Sequence, residues 1–157
     1  MNDSAKPTTK AKSPNRHQAR GSAIECLYAW DSSAQDGGML PQLITDRLEE
    51  EDRESQDEAY LRDLVYGVTE SVASLDEHIG KVVRGRSLRS VARVEINVIR
   101  LALWEMQNRL EIPYRVIINE ALQLTREYAD ENARGFVNGV LDKLAKEFRS
   151  VEISAGN

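Results

Sequence analysis

Three residues in "RGFVNGVLDKLAKEFR" (134–149) are an odd choice for the first turn of an amphipathic helix: Phe136, Asn138 and Gly139. A helix start presents unpaired backbone N–H groups and the positive end of its dipole, which suit phosphate. A ring beside such a start can stack on an unpaired base, as in the reading of single-stranded RNA. The plainer use is packing: Phe136 fills a seam between helices, Asn138 caps locally and Gly139 lets helices approach closely. A second group lies near the N-terminus. At about 100° per residue, Ala19, Ala23, Cys26, Leu27 and Trp30 share one buried side of a helix. Arg20, Ile24 and Tyr28 fall on its flank, and Arg16 lies one turn before Arg20. Arginine contacts phosphates and stacks on bases, and tyrosine stacks. Arg16, Arg20 and Tyr28 are therefore candidates for nucleic acid on one partly exposed edge, with a core-edge aromatic as the alternative for Tyr28.

Catalytic patterns are missing. His17 and His78 are far apart, and with the single Cys26 they do not make a usual zinc set. The chain lacks the Walker lysine spacing and a G-x-S-x-G nucleophile. Cys26, among Ala23, Leu27 and Trp30, reads as a small core residue. Glu95 and Glu120 stand inside apolar helices, where hydrogen bonding or a surface position is the expected use. A binding protein without catalytic, metal or cofactor residues is the expectation.

The charge distribution fits that reading. The 157 residues carry 21 Lys and Arg against 26 Asp and Glu, a net charge of −5. Yet Lys6, Lys10, Lys12, Arg16 and Arg20 crowd the first 20 positions, while "DRLEEEDRESQDE" (46–58) is strongly acidic. A basic arm attracts nucleic acid locally whatever the net charge; a solvated tail is the bland alternative. No apolar run approaches the ~20 residues that span a bilayer, and the N-terminus lacks a secretory h-region. The expected setting is cytoplasmic, without a membrane.

The elements that must position these residues are all helical. After a Lys/Ser/Thr/Pro-rich arm (1–15), apolar residues recur at helical spacing. One helix carries Ala19 to Trp30 and stops by Gly37-Gly38. Leu40, Leu43, Ile44 and Leu48 mark a short second one, with Pro41 in its first turn. Leu61, Leu64, Val65, Val68, Val72, Leu75 and Ile79 make the clearest amphipathic stripe. "GKVVRGRS" breaks the pattern. Val91 to Met106, "IPYRVIINEALQLTREYA" and Val137 to Phe148 supply three more helices. A compact all-α bundle over 16–150 is expected, with a flexible tail at 151–157.

Four segments carry a resemblance: "ARGSAIECLYAWD", "YLRDLVYGVTESVASLDEHI", "SVARVEINVIRLALWEM" and "IPYRVIINEALQLTREYADENARGFVNGVLDKLAKEFR". In this order they resemble the NusB family of bacterial transcription antitermination factors, over about Gln18 to Arg149. The resemblance implies two packed three-helix subbundles. It implies binding of boxA RNA from ribosomal RNA transcripts together with the small ribosomal protein NusE, and entry into the RNA polymerase complex with other Nus factors. It also places Phe136 on the RNA-contacting surface.

Departures from the family pattern bear on that surface. The arginine run before the first helix is thinned to "RHQAR". Gly135 stands where a lysine is common, with Arg134 before it, and Arg86 stands where a linker tryptophan is common. Each missing cation removes one potential phosphate partner, so weak RNA binding alone, strengthened by a partner, is expected. The runner-up is a helical scaffold that keeps only protein contacts. Some helical faces are apolar enough for a homodimer. The same fold begins some RNA methyltransferases, but that reading needs a following catalytic domain, and the chain is expected to stop short of one.

Overall fold

A computed structural model of the chain describes residues 14–156, so Lys6, Lys10 and Lys12 of the basic arm lie outside the described residues. Among the described residues eight α-helices follow one another: α1 (Arg16–Ser32), α2 (Leu40–Leu48), α3 (Glu58–Glu70), α4 (Val72–Val82), α5 (Arg93–Asn108), α6 (Tyr114–Tyr128), α7 (Arg134–Phe148) and α8 (Ser150–Ala155). Helices α1, α2 and α3 pack as one group and α5, α6 and α7 as a second, with α4 against α5 and α7. Helix α5 also meets α1 and α3, so it joins the two halves. Its Ile96, Val98, Ile99, Leu101, Ala102, Leu103 and Met106 are all buried. Burying a Val, Leu, Ile or Met side chain stabilises by about 1.5–3 kcal/mol.

The local signals explain most of the boundaries. The Asn15 side chain accepts from the Gln18 N–H at 2.9 Å and caps α1. Asn15 also donates its N–H to the Ser55 carbonyl and accepts from the Asp57 N–H, so this residue is fixed rather than part of a loose arm. Helix α1 stops at Ser32, ahead of the two glycines, because Ala34 and Gln35 adopt φ of 57° and 58°. The long stripe from Leu61 to Ile79 is two helices: Ser71, at φ −112° and ψ 10°, leaves helical geometry between them. Gly67 allows the α3–α5 approach, since a Cβ there would sit 2.3 Å from the Trp104 ring.

Two expectations are corrected. The tail expected at 151–157 is helical over 150–155, with Ile153 packed on the core. Gly139 makes no close helix contact: a Cβ there would meet nothing within 4 Å.

Buried and half-buried arginines tie the helices together. Arg149 donates to the carbonyls of Met106 (2.9 Å), Arg109 (3.0 Å) and Ile112 (2.8 Å), covering the open C-terminal end of α5 and the turn after it. Arg100 grips Asp76 of α4 with two bonds of 2.7 and 2.8 Å and reaches Asp31 of α1 at 2.8 Å. Arg53 and Arg47 both clamp Glu25 of α1, at 2.6 and 2.7 Å, and the Tyr128 hydroxyl of α6 joins them at 2.6 Å. The acidic stretch after α2 is thereby drawn back onto α1.

Candidate nucleic-acid interface

The edge of α1 is built differently from its expectation. Arg20 is not exposed; only 4% of it reaches solvent. Its Nε and Nη2 donate to Glu105 Oε2 at 3.0 and 2.9 Å, and the Tyr60 hydroxyl donates to the same carboxylate. Burial opposes the Arg20 charge, but the hydrogen bonds and charge of Glu105 outweigh it and raise its pKa. Burial and the Glu105 charge likewise push the Tyr60 hydroxyl up. Helical spacing alone misplaces Arg20 because its partner comes from α5. Glu105 lies in an apolar run, "LALWEM", and that isolated carboxylate is the signal for a buried pair. Ile24, placed on the same flank, is also buried.

Arg16 is half-exposed and lies over the Tyr60 ring, its guanidinium carbon 4.3 Å from the centroid, with Asp57 at 3.6 Å. Arg109 lies 4.7 Å from the same ring. His17 lies between two carboxylates of α6, Glu120 at 2.7 Å and Glu127 at 3.2 Å. The Glu120 hydrogen bond raises its pKa; burial opposes this, and the Glu120 charge and Glu127 add to it. Glu120 also faces Arg20 at 3.4 Å, so its use is structural. Tyr28 is exposed at 46%, and with Ile24, Glu25, Val94 and Tyr128 it borders a shallow groove of about 350 Å³. Cys26 is buried, and burial pushes its thiol up to about 12, as for a core residue.

The start of α7 forms a second surface. Phe136 is half-buried at the edge of the core, and Asn138 is exposed. No side chain among the described residues caps the first turn of α7, which follows a short helical turn at Glu131–Ala133. Phe136 borders an open groove of about 300 Å³ between the α4–α5 linker and α7. Val82, Val83 and Val140 form its apolar floor, and Arg84, Arg86 and Lys143 its charged rim. Among the described residues no carboxylate lines it. The Arg86 guanidinium lies over the Phe136 ring at 4.4 Å. Gly85, at φ +78°, makes the turn between Arg84 and Arg86, a conformation that favours glycine. Gly135 and Gly139 leave the α7 side of the groove bare. Phe136 borders this groove, whereas Asn138, exposed two residues on, does not line it and faces the opposite side of α7; Arg16 and Tyr28 belong to the α1 edge. Among the described residues no cluster of His, Cys, Asp and Glu could hold a metal, and no helix is long and apolar enough to cross a membrane.

The relatives of the chain share this architecture. The family model described as "NusB family" matches residues 17–146. The chain belongs to the NusB family. A relative from Stenotrophomonas maltophilia, named transcription antitermination protein NusB, is 39% identical over 137 residues, covering 87% of this chain and 84% of that protein. The NusB structure from T. maritima superposes with a TM-score of 0.76 at 30% identity, covering 87% of this chain and 93% of that one. A chain from the crystal structure of antitermination factors NusB and NusE in complex with dsRNA superposes with a TM-score of 0.69 at 27% identity, covering 83% and 96%. The two three-helix groups here are the NusB fold, with α7 and its Phe-Val-Asn-Gly start at one end of the second group.

Proposed function

We propose that this chain is an antitermination factor that binds boxA-type single-stranded RNA of ribosomal RNA transcripts together with NusE and so joins the RNA polymerase complex. The observation that carries the RNA part is the groove beside Phe136, lined by no carboxylate among the described residues: a half-exposed ring, a bare helix flank and three cations meet there. Aromatic faces stack on unpaired bases, and cations hold the backbone between them. Asn138, exposed near the start of α7 but outside the groove, supplies a polar contact to RNA passing around the helix. Arg16 and Tyr28 supply a secondary contact on α1. Arg20 holds α1 to α5 and does not reach RNA.

The basic ribosomal partner needs acids that are not already paired. Glu120 is taken by His17 and Arg20. Glu49, Glu51, Asp52 and Glu54 are exposed and make no ion pair with any described residue, so this turn after α2 is the better docking patch. The RNA and the partner then bind cooperatively, each raising the other's affinity by the same factor. Filter binding of a boxA RNA oligonucleotide with and without the NusE-like protein tests this. Tighter RNA binding with partner is expected. Equal affinity in both arms contradicts the coupling, and no RNA binding in either favours the scaffold reading, which the locked Arg20 supports.

A further inference from the structure

Arg86 occupies the place a base would take on Phe136. Its guanidinium lies over the ring at 4.4 Å, and its one hydrogen bond within the described residues is a long one, 3.3 Å from Nη2 to the Ser90 carbonyl. Arg20, Arg53, Arg100 and Arg149 all have carboxylates within 3 Å. Arg84, Arg86 and Lys143 have none among the described residues, and no acid lines their groove. A guanidinium over a ring still offers a planar face to a second flat group and its edge donors to phosphate. The Gly135 and Gly139 flank leaves space for a sugar-phosphate chain beside it.

We infer that Arg86 is the stacking surface for an unpaired RNA base, that Phe136 is the ring behind it, and that Arg84 and Lys143 hold the flanking phosphates. This rests on the RNA reading proposed above and assigns that site residues of its own. The same chemistry fits the thinned "RHQAR" segment: cations missing at α1 are replaced at the linker.

The test uses the full chain with its NusE-like partner and a boxA-containing single-stranded RNA oligonucleotide, with affinity read over a salt series. Arg86→Lys keeps the charge and removes the plane; affinity should fall roughly five-fold or more, with the salt slope unchanged. Arg84→Ala with Lys143→Ala should flatten the log-affinity against log-salt slope by about 0.7 for each phosphate no longer neutralised. Arg62→Ala, an exposed arginine outside the groove, controls for net charge and should change little beyond that. All these positions are exposed, and an unchanged helical circular-dichroism signal checks folding. Parental affinity in Arg86→Lys overturns the stacking role, and an unchanged slope in the double variant overturns the phosphate role; the RNA reading survives both. If the parent binds no RNA with partner present, the RNA reading fails and the inference fails with it.

Discussion

The α1 edge and the groove beside α7 both combine arginines with an aromatic ring, yet their cations have opposite surroundings. At α1, Arg20 is locked on Glu105, and Arg16 shares Tyr60 with Arg109 beside Asp57. At the groove, Arg86 lies on Phe136 and no described carboxylate lines the walls. A cation already paired must break that pair before it meets a phosphate, whereas an unpaired one releases only water and counterions. The number of arginines near a ring therefore does not define a nucleic-acid surface; the acids beside them do. At α1 the same residue types hold the fold together.

The largest expected effect lies on the structural side of this contrast. Arg20→Ala leaves Glu105 buried without its cation and should cost about 3–5 kcal/mol of stability. Denaturant melts measure it; a loss below about 1 kcal/mol would put Arg20 back among residues free to bind RNA. Phe136→Leu should do the reverse. It keeps most of the apolar volume, so the melting temperature stays near parental, but it removes the flat face under Arg86 and weakens RNA binding by about 1 kcal/mol or more. RNA affinity equal to the parent at matched salt would leave Phe136 a seam filler.

The smallest effect belongs to His17. Its folded pKa is raised above 6.5, first by the Glu120 hydrogen bond. The link between α1 and α6 therefore stabilises fully below pH 6.5 and fades as pH rises through the raised value. His17→Gln should remove that part of the pH dependence of stability. A variant whose stability-against-pH curve matches the parent's above pH 6.5 would mean that the two carboxylates do not act on the imidazole.

Residues that obey a single helical period are legible in the sequence. Ala19, Ala23, Cys26, Leu27 and Trp30 are all buried, as their spacing requires. Breaks without a breaker residue are not: nothing in "TESVAS" marks the departure at Ser71, and Ala34 with Gln35 turn left-handed without glycine. Glu105 alone in its apolar run signals a buried pair, but that its partner is Arg20, 85 residues away, is not legible, because α5 brings the two together. Gly139 misleads because a helical glycine can serve close packing or an open groove, and only the neighbours distinguish them. Arg86 is visible as a departure from the family pattern, but its position over Phe136 depends on the turn at Gly85.

Amide chemical-shift mapping tests the contrast between the two regions most directly. Adding the boxA oligonucleotide and the unlabelled partner to isotope-labelled protein, with the partner-only spectrum as reference, should move Gly135, Phe136, Asn138 and Gly139 most, together with Gly85 to Ser87. The amides of Ala19 to Ala23, behind the Arg20 pair, should stay nearly still. The largest shifts along Ala19 to Ala23, with α7 and the Gly85 turn unmoved, would contradict the account and return RNA recognition to the first helix.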